Sequence, residues 1–325
     1  MMNYLVTGGM GFIGTALVKR LAANPENRVY VIDDLSRGKI RDDLKLDNVD
    51  FFDVDIRDRK WIDQTIGRNI DVVFHLAFIN GTENFYNIPD EVLDVAIRGM
   101  QNVLEFAEYS KTFKELVLVS SSEVYQNSEN IPTPETQSAS IPDVFNPRFS
   151  YASGKLINEM MAIHQGKDFL DKITIVRPYN VYGPAMGNGH VIPQLINKVL
   201  DEISVPFSDD IIDLEIQSDG TQTRSFVYID DFIDGLMLVH KEGIHMNAYN
   251  IGTEEERDIL SVVKCIGEAF GKKINIIPSS AAPEGGVDRR CPDISKMRAL
   301  GFDPIASFPS GIMTTVNHYQ GERNG

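Results

Sequence analysis

The chain is poor in cysteine, in basic charge and in long apolar runs, and each shortage removes a class of protein. Cys265 and Cys291 are the only cysteines in 325 residues. Two isolated thiols cannot staple a small scaffold and suit a reducing compartment. Lys and Arg number 31 against 47 Asp and Glu, for a net charge of -16. Such a surface excludes nucleic acid as a partner, because phosphate backbones are held by basic faces. A few arginines in a cleft would still hold a small phosphorylated ligand. No run approaches the roughly 18 consecutive apolar residues of a membrane span. The first residues, Met-Met-Asn-Tyr-Leu-Val, carry no basic region and no long apolar core. No membrane partner is expected, and a cytoplasmic location is. The histidines (His75, His164, His190, His240, His245 and His318) are scattered, with no zinc-ligand spacing, so no metal is expected. Repeats and low-complexity segments are also missing.

What is present reads as a soluble globular enzyme, with 42% hydrophobic and 24% charged residues. Through about residue 176, short apolar runs alternate with helical patterns. Tyr4–Thr7, Val29–Ile32, Val49–Phe52, Val72–His75, Leu116–Ser120 and Ile173–Val176 are rich in Val, Ile and Leu without strict alternation. That is the pattern of parallel strands buried on both faces. Phe12–Ala23, Lys60–Ile66, Glu91–Glu108 and Tyr151–Gln165 read as helices between them. The alternation predicts an α/β fold, a doubly wound parallel Rossmann sheet, with a smaller C-terminal α/β region for substrate. Residues 1–176 with about 213–246, including a helix at Asp230–His240, are assigned to the first domain. About 177–212 with 247–325 are assigned to the second. The loop Gln126–Asn146 is long for a connection, and a lid and a plain surface excursion fit it equally. Phe78 and the segment Ile79–Ile88 match no pattern.

The first chemical signal is Thr7-Gly8-Gly9-Met10-Gly11-Phe12-Ile13-Gly14, which follows a strand and opens a helix. Glycines there permit a tight turn and close approach of a pyrophosphate, and the helix N-terminus offers free N–H groups. Asp33 ends the next strand, 19 residues after Gly14. A carboxylate at that offset suits an adenosine ribose and repels a 2′-phosphate, which favours NAD over NADP. Arg37 nearby could pair with such a phosphate. Asp55-Ile56 could approach the adenine, or form a turn.

Tyr151-Ala-Ser-Gly-Lys155 puts a phenol and an ammonium on one helix face. The ammonium favours the phenolate, which could take a proton from a hydroxyl. A helix-surface pair has the same spacing. Ser120-Ser121-Ser122-Glu123 follows a buried strand at its C-terminal end, where ligands bind in open α/β sheets. Serines at a turn read the same way.

These segments together resemble the extended short-chain dehydrogenase/reductases of the NAD-dependent epimerase/dehydratase family, which act on nucleotide-diphosphate sugars. The likeness continues through His75-Leu76-Ala77, Arg177-Pro178-Tyr179-Asn180-Val181-Tyr182-Gly183-Pro184, Asp219–Phe226, Tyr249–Gly252 and Arg290-Cys291-Pro292-Asp293-Ile294, in the family's order. It implies NAD as cofactor, held by Gly8, Gly11, Phe12, Ile13, Gly14, Asp33, Asp55, Ile56, Leu76, Ala77, Ser120, Tyr151, Lys155 and Pro178. It implies Ser121, Glu123, Tyr151 and Lys155 as catalytic residues. Ser122, Asn180, Val191, Arg224 and Arg290 would contact a nucleotide-diphosphate sugar, the two arginines through the diphosphate. It further implies a homodimer or larger homo-oligomer through the helices near Glu91–Glu108 and Tyr151–Gln165.

In such enzymes Tyr151 would take the 4-hydroxyl proton while hydride passes from C4 to NAD. The fate of the 4-keto sugar then divides the family. Glu123 is expected to take the C5 proton, as in similar 4,6-dehydratases, which makes dehydration the leading outcome. UDP-glucuronate decarboxylases also carry a glutamate there, and Arg148 in Pro-Arg-x-x-Tyr resembles theirs. Ser122 stands where some dehydratases place an aspartic acid, while GDP-mannose dehydratases, which this chain resembles more closely there, have serine. Decarboxylation, 4-epimerisation and 4-dehydrogenation stay open. So does a non-catalytic NAD-binding sensor, though such sensors commonly lose the Tyr/Lys pair.

Overall fold

A computed structural model describes residues 1–37, 42–203, 210–279 and 286–324. Six strands alternate with helices through the first half: β1 (Asn3–Thr7), β2 (Arg28–Asp33), β3 (Val49–Asp53), β4 (Val72–His75), β5 (Glu115–Val119) and β6 (Lys172–Pro178). The helices are α1 (Phe12–Ala22), α2 (Lys60–Thr65), α3 (Thr82–Asn87), α4 (Pro89–Tyr109), α5 (Ser150–Gly166), α6 (Val191–Ile203), α7 (Ile229–Glu242), α8 (Ile259–Phe270), α9 (Ser295–Ala299) and α10 (Phe308–Asn324). No helix among the described residues is long and apolar enough to cross a membrane.

The strands form one seven-stranded parallel sheet in the order Asn247–Ile251, β6, β5, β4, β1, β2, β3. Side chains alternate faces along a strand, so each strand feeds two cores. Tyr4 and Val6 of β1, with Val117 and Val119 of β5, pack into a core with α1 and α7. Leu5, Leu116 and Leu118 pack into the other, against Trp61, Met100, Phe106 and Met161 of α2, α4 and α5. Burial on both faces explains why these strands lack polar alternation. A third core lies outside the sheet, where α6, α8 and α10 pack on paired strands Ile211–Gln217 and Lys273–Ser279.

Two segments lie differently from the expected division. Asn247–Ile251, placed with the substrate region, pairs with β6 in register Tyr249↔Val176 and extends the main sheet. Ile211–Gln217, whose second half fell within the Rossmann share, belongs to the outer layer. Both segments carry apolar residues that either layer could bury, so composition alone did not separate them.

Strand order reverses between β1 and β4. The chain winds one way through β2 and β3, then back past β1 to β4, β5 and β6, which opens a crevice at the C-terminal ends. Thr7 closes the base of this crevice. Its hydroxyl pairs with His75 Nδ1 at 2.8 Å and accepts the Leu76 and Ala77 N–H groups at 3.2 Å. The glycine turn after β1 packs against the same exit. A Cβ at Gly14 would stand 2.1 Å from Gly8 O and 2.6 Å from Gly9 Cα, backbone atoms with no freedom to yield. A Cβ at Gly11 would meet only Gly8 O, at 3.3 Å. Gly14→Ala should therefore cost about 1–3 kcal/mol of stability, the range for overpacking, whereas Gly11→Ala should cost much less. Thermal unfolding of the two variants checks this, and equal midpoints would contradict the packing described.

Candidate active site

All the residues named above as cofactor-binding, catalytic or substrate-binding line one cleft of ≈ 730 Å³ at this crevice. Gly11 caps α1 without any side-chain capping bond, and the first turn holds no acid. The first N–H groups of the helix therefore face the cleft, ready for an anion. Phe12, Ile13, Leu76, Ala77 and Pro178 form its apolar walls. Asp33 is fixed at its far end, where Oδ2 accepts from Met10 N at 2.8 Å and Oδ1 from Leu35 N at 2.9 Å. Burial raises its pKa, and the two N–H bonds oppose that. Each oxygen keeps a lone pair for a ribose hydroxyl. An open helix end, a close-packed glycine turn and a fixed carboxylate fit a dinucleotide cofactor such as NAD.

Two expected cofactor contacts are already engaged within the protein. Asp55 is held by Arg57, through Nε at 2.9 Å and Nη2 at 2.6 Å, and Arg57 also reaches Asp94 at 3.2 Å. The Ile56 carbonyl accepts from Trp61 Nε1 at 3.1 Å and Asn102 Nδ2 at 2.8 Å. Ser120 likewise turns its hydroxyl away from the cleft toward Glu159, which leaves its backbone to face the cleft.

Helix α5 carries Tyr151 and Lys155 one turn apart, both buried. Tyr151 is flanked by two aromatic rings that no spacing in the chain points to. Phe85 of α3 stacks on its ring at 4.8 Å, and Phe78 meets it edge-on at 5.1 Å. This burial pushes the phenol up to about 12, against a lowering hydrogen bond from Ser121. Burial also brings Lys155 down to about 7, with Glu159 pulling the other way. Lys155 Nζ donates to Val119 O at 2.8 Å and lies 4.1 Å from the Phe78 ring centre. It stands 5.8 Å from the Tyr151 ring centre. Segment Ile79–Ile88, unassigned from sequence, is thus partly the short helix that walls the tyrosine.

Ser121 caps a single 3-10 turn, its Oγ accepting Glu123 N at 3.1 Å. That turn aims the Glu123 side chain at Arg290, with which it forms an ion pair. Burial would raise the Glu123 carboxyl, but Arg290, with Arg148 and Arg224, outweighs it and holds the group below the usual range. Arg290 was expected on a diphosphate. In the structure its partner is Glu123, an arrangement that depends on residues 167 apart and leaves no trace in local spacing. Arg224 is anchored to Thr223 O at 2.7 Å, and burial with the neighbouring Arg290 lowers it to about 10. Asn180 Nδ2 donates to Ser225 O at 3.0 Å. Ser122 is buried, and Val191 opens α6 at the cleft wall. Arg37 also enters the cleft, its Nη2 3.1 Å from where a Gly187 Cβ would lie.

Comparison with known proteins agrees with this arrangement. The family model "NAD dependent epimerase/dehydratase family" matches residues 4–252. The chain is 28% identical to the UDP-N-acetyl-alpha-D-glucosaminuronate decarboxylase of Bacillus cytotoxicus, over 97% of each chain. It is 29% identical to UDP-glucuronic acid decarboxylase 5 of Arabidopsis thaliana, over 96% of this chain and 87% of that one. Its fold is similar to the UDP-glucose 4-epimerase of Thermotoga maritima, with TM-score 0.86, 27% identity and coverage of 99% and 100%. It is also similar to a dTDP-glucose 4,6-dehydratase of Streptomyces venezuelae with NAD bound, with TM-score 0.84, 26% identity and coverage of 99% and 98%. With its Rossmann sheet, glycine turn and Tyr/Lys helix, the chain belongs to the NAD-dependent epimerase/dehydratase family of nucleotide-sugar enzymes.

Proposed function

We propose that the protein oxidises C4 of a UDP-linked uronic acid and releases its carboxylate as carbon dioxide. The observation that carries this reading is the Glu123–Arg290 ion pair. Dehydration, the outcome expected from sequence, needs an acid to protonate the departing hydroxyl. Ser122 is no acid, and Glu123 is kept ionised by three arginines. Decarboxylation expels no hydroxyl, so Glu123 can stay ionised and hold Arg290 in place beside the substrate carboxylate. Once C4 is a ketone, the C5 carboxylate is β to it, and the C5–C6 bond can break with its electron pair moving onto O4. The curated relatives named above, decarboxylases at 28 and 29% identity, support the same outcome.

The chain's own residues would act as follows. Tyr151 takes the 4-hydroxyl proton, and its hydrogen bond with Ser121 places both hydroxyls to hold O4 through the ketone and enolate stages. NAD, when bound, would supply a reversible hydride acceptor for C4, and water would supply the proton that C5 gains after carbon dioxide leaves. Lys155 favours the Tyr151 phenolate while it is cationic. Arg224 and Arg148 supply positive charge for the diphosphate, and Arg290 for the carboxylate, within a chain of net charge -16. A second reading, 4-epimerisation, is supported by the likeness to the Thermotoga enzyme. It needs Ser121, Tyr151 and Lys155 but makes no use of Glu123. The helices α4 and α5 leave Ile97, Ile157 and Met160 exposed, which supports the expected homodimer.

Incubation with UDP-glucuronate and UDP-glucose, followed by mass spectrometry, tests the reading. The uronate should lose carbon dioxide. Loss of water would favour dehydration, and an unchanged mass with inverted C4 would favour epimerisation. Glu123→Gln should leave C4 oxidation in place and slow carbon dioxide release by roughly 10²-fold, comparable to removal of one electrostatic stabiliser. Unchanged release would remove the ion pair from the account. Sedimentation of Met160→Glu should show monomers where the parent shows dimers.

A further inference from the structure

Three consecutive residues at the end of β5 are each held by one residue of α5. Val119 O accepts from Lys155, Ser120 Oγ donates to Glu159, and Ser121 is hydrogen-bonded to Tyr151. Tyr151, Lys155 and Glu159 recur every four residues, so one helix face carries the whole set. Glu159 is as deeply buried as Lys155, each 4% exposed. Arg177 of β6 grips it in a fork, through Nε at 2.9 Å and Nη2 at 2.6 Å. The third arm of that guanidinium donates to Tyr125 OH at 2.6 Å, and Tyr125 donates on to Asn250 Oδ1 at 2.9 Å. A forked, fully engaged guanidinium cannot swing away, so the carboxylate is fixed in place.

We propose that Glu159 is a positioning residue for the reaction: clamped by Arg177, it fixes the Ser120–Ser121 turn and sets a carboxylate behind Lys155. The proposal rests on Tyr151 and Lys155 performing the C4 chemistry. The groups facing Lys155 are few. Tyr151 and Glu159 come from α5, and His75 comes from β4, where burial brings it down to about 3 and keeps it neutral. The strand β5 offers only a carbonyl, and the loop after β4 offers the Phe78 ring. Arg177 faces Glu159 rather than Lys155. Glu159 is then the carboxylate that keeps Lys155 cationic near neutral pH, as the Tyr151 phenolate requires. Removing the charge lowers the Lys155 pKa, so the cation disappears at a lower pH and the alkaline limb of activity moves down with it.

The test needs no substrate, so it fails independently of the decarboxylase reading. In the full-length NAD-loaded protein, the Cε resonance of Lys155, assigned with Lys155→Met, is titrated by NMR. Glu159→Gln keeps the shape and can still accept from Ser120 and Arg177. Its Lys155 midpoint should fall by roughly one unit or more. Glu159→Asp keeps the charge, and its midpoint should stay close to the parent's even where the shortened arm slows turnover. Should the Gln variant not fold, the double variant E159Q/R177Q removes the carboxylate together with the guanidinium that offsets it, and its midpoint should still fall, by less than for loss of the carboxylate alone. A Lys155 titration unmoved by loss of the carboxylate would overturn the proposal and leave Glu159 a packing residue.

Discussion

The reversal of strand order between β1 and β4 is the constraint on which the site depends. Parallel strands must all end on one edge, and the reversal parts the loops that leave them. Thr7 holds the two sides of that opening at a fixed spacing, since one hydroxyl serves His75, Leu76 and Ala77. Gly14 then packs on Gly8 with no room for a methyl. The start of α1, the Asp33 carboxylate and the ends of β5 and β6 are thereby brought around a single cleft.

Within the cleft, electrostatics run opposite to those of the whole molecule. The chain is acidic, yet the cleft gathers Arg148, Arg224 and Arg290 around the carboxylate of Glu123. Burial drives the phenol of Tyr151 up and the ammonium of Lys155 down, so both tend toward their neutral forms. Neighbours oppose the trend in each case: Ser121 first, with Arg37 and Arg290, for the tyrosine, and Glu159 for the lysine. The reactive pair is therefore poised by its neighbours rather than by direct contact between its members.

Much of this was legible in the sequence because it depends on local spacing. The strands β1, β2, β4, β5 and β6 show as apolar runs since each is buried on both sides, whereas β3 at the sheet edge is only half-buried. The glycine turn, Asp33 and the Tyr151/Lys155 pair show as fixed offsets on known elements. Contacts made across the fold were not legible. Glu123 and Arg290 meet over 167 positions, and Phe85 reaches Tyr151 from a segment without a pattern. Glu159 could have been found, because it continues the four-residue step from Tyr151 and Lys155, but its partner Arg177 lies on another strand. Asn247–Ile251 went to the wrong layer because an edge strand of the sheet and a strand of the outer layer have similar composition.

The central claim is that the cleft oxidises a sugar with Tyr151 as the base, and single-turnover absorbance of reduced nicotinamide tests it most directly. Mixing the NAD-loaded protein with UDP-glucuronate should give a transient rise. Tyr151→Phe should slow that rise by about 10²–10⁴-fold, the usual worth of a general base, while substrate affinity is kept. A rise of normal rate and height in Tyr151→Phe would contradict the account.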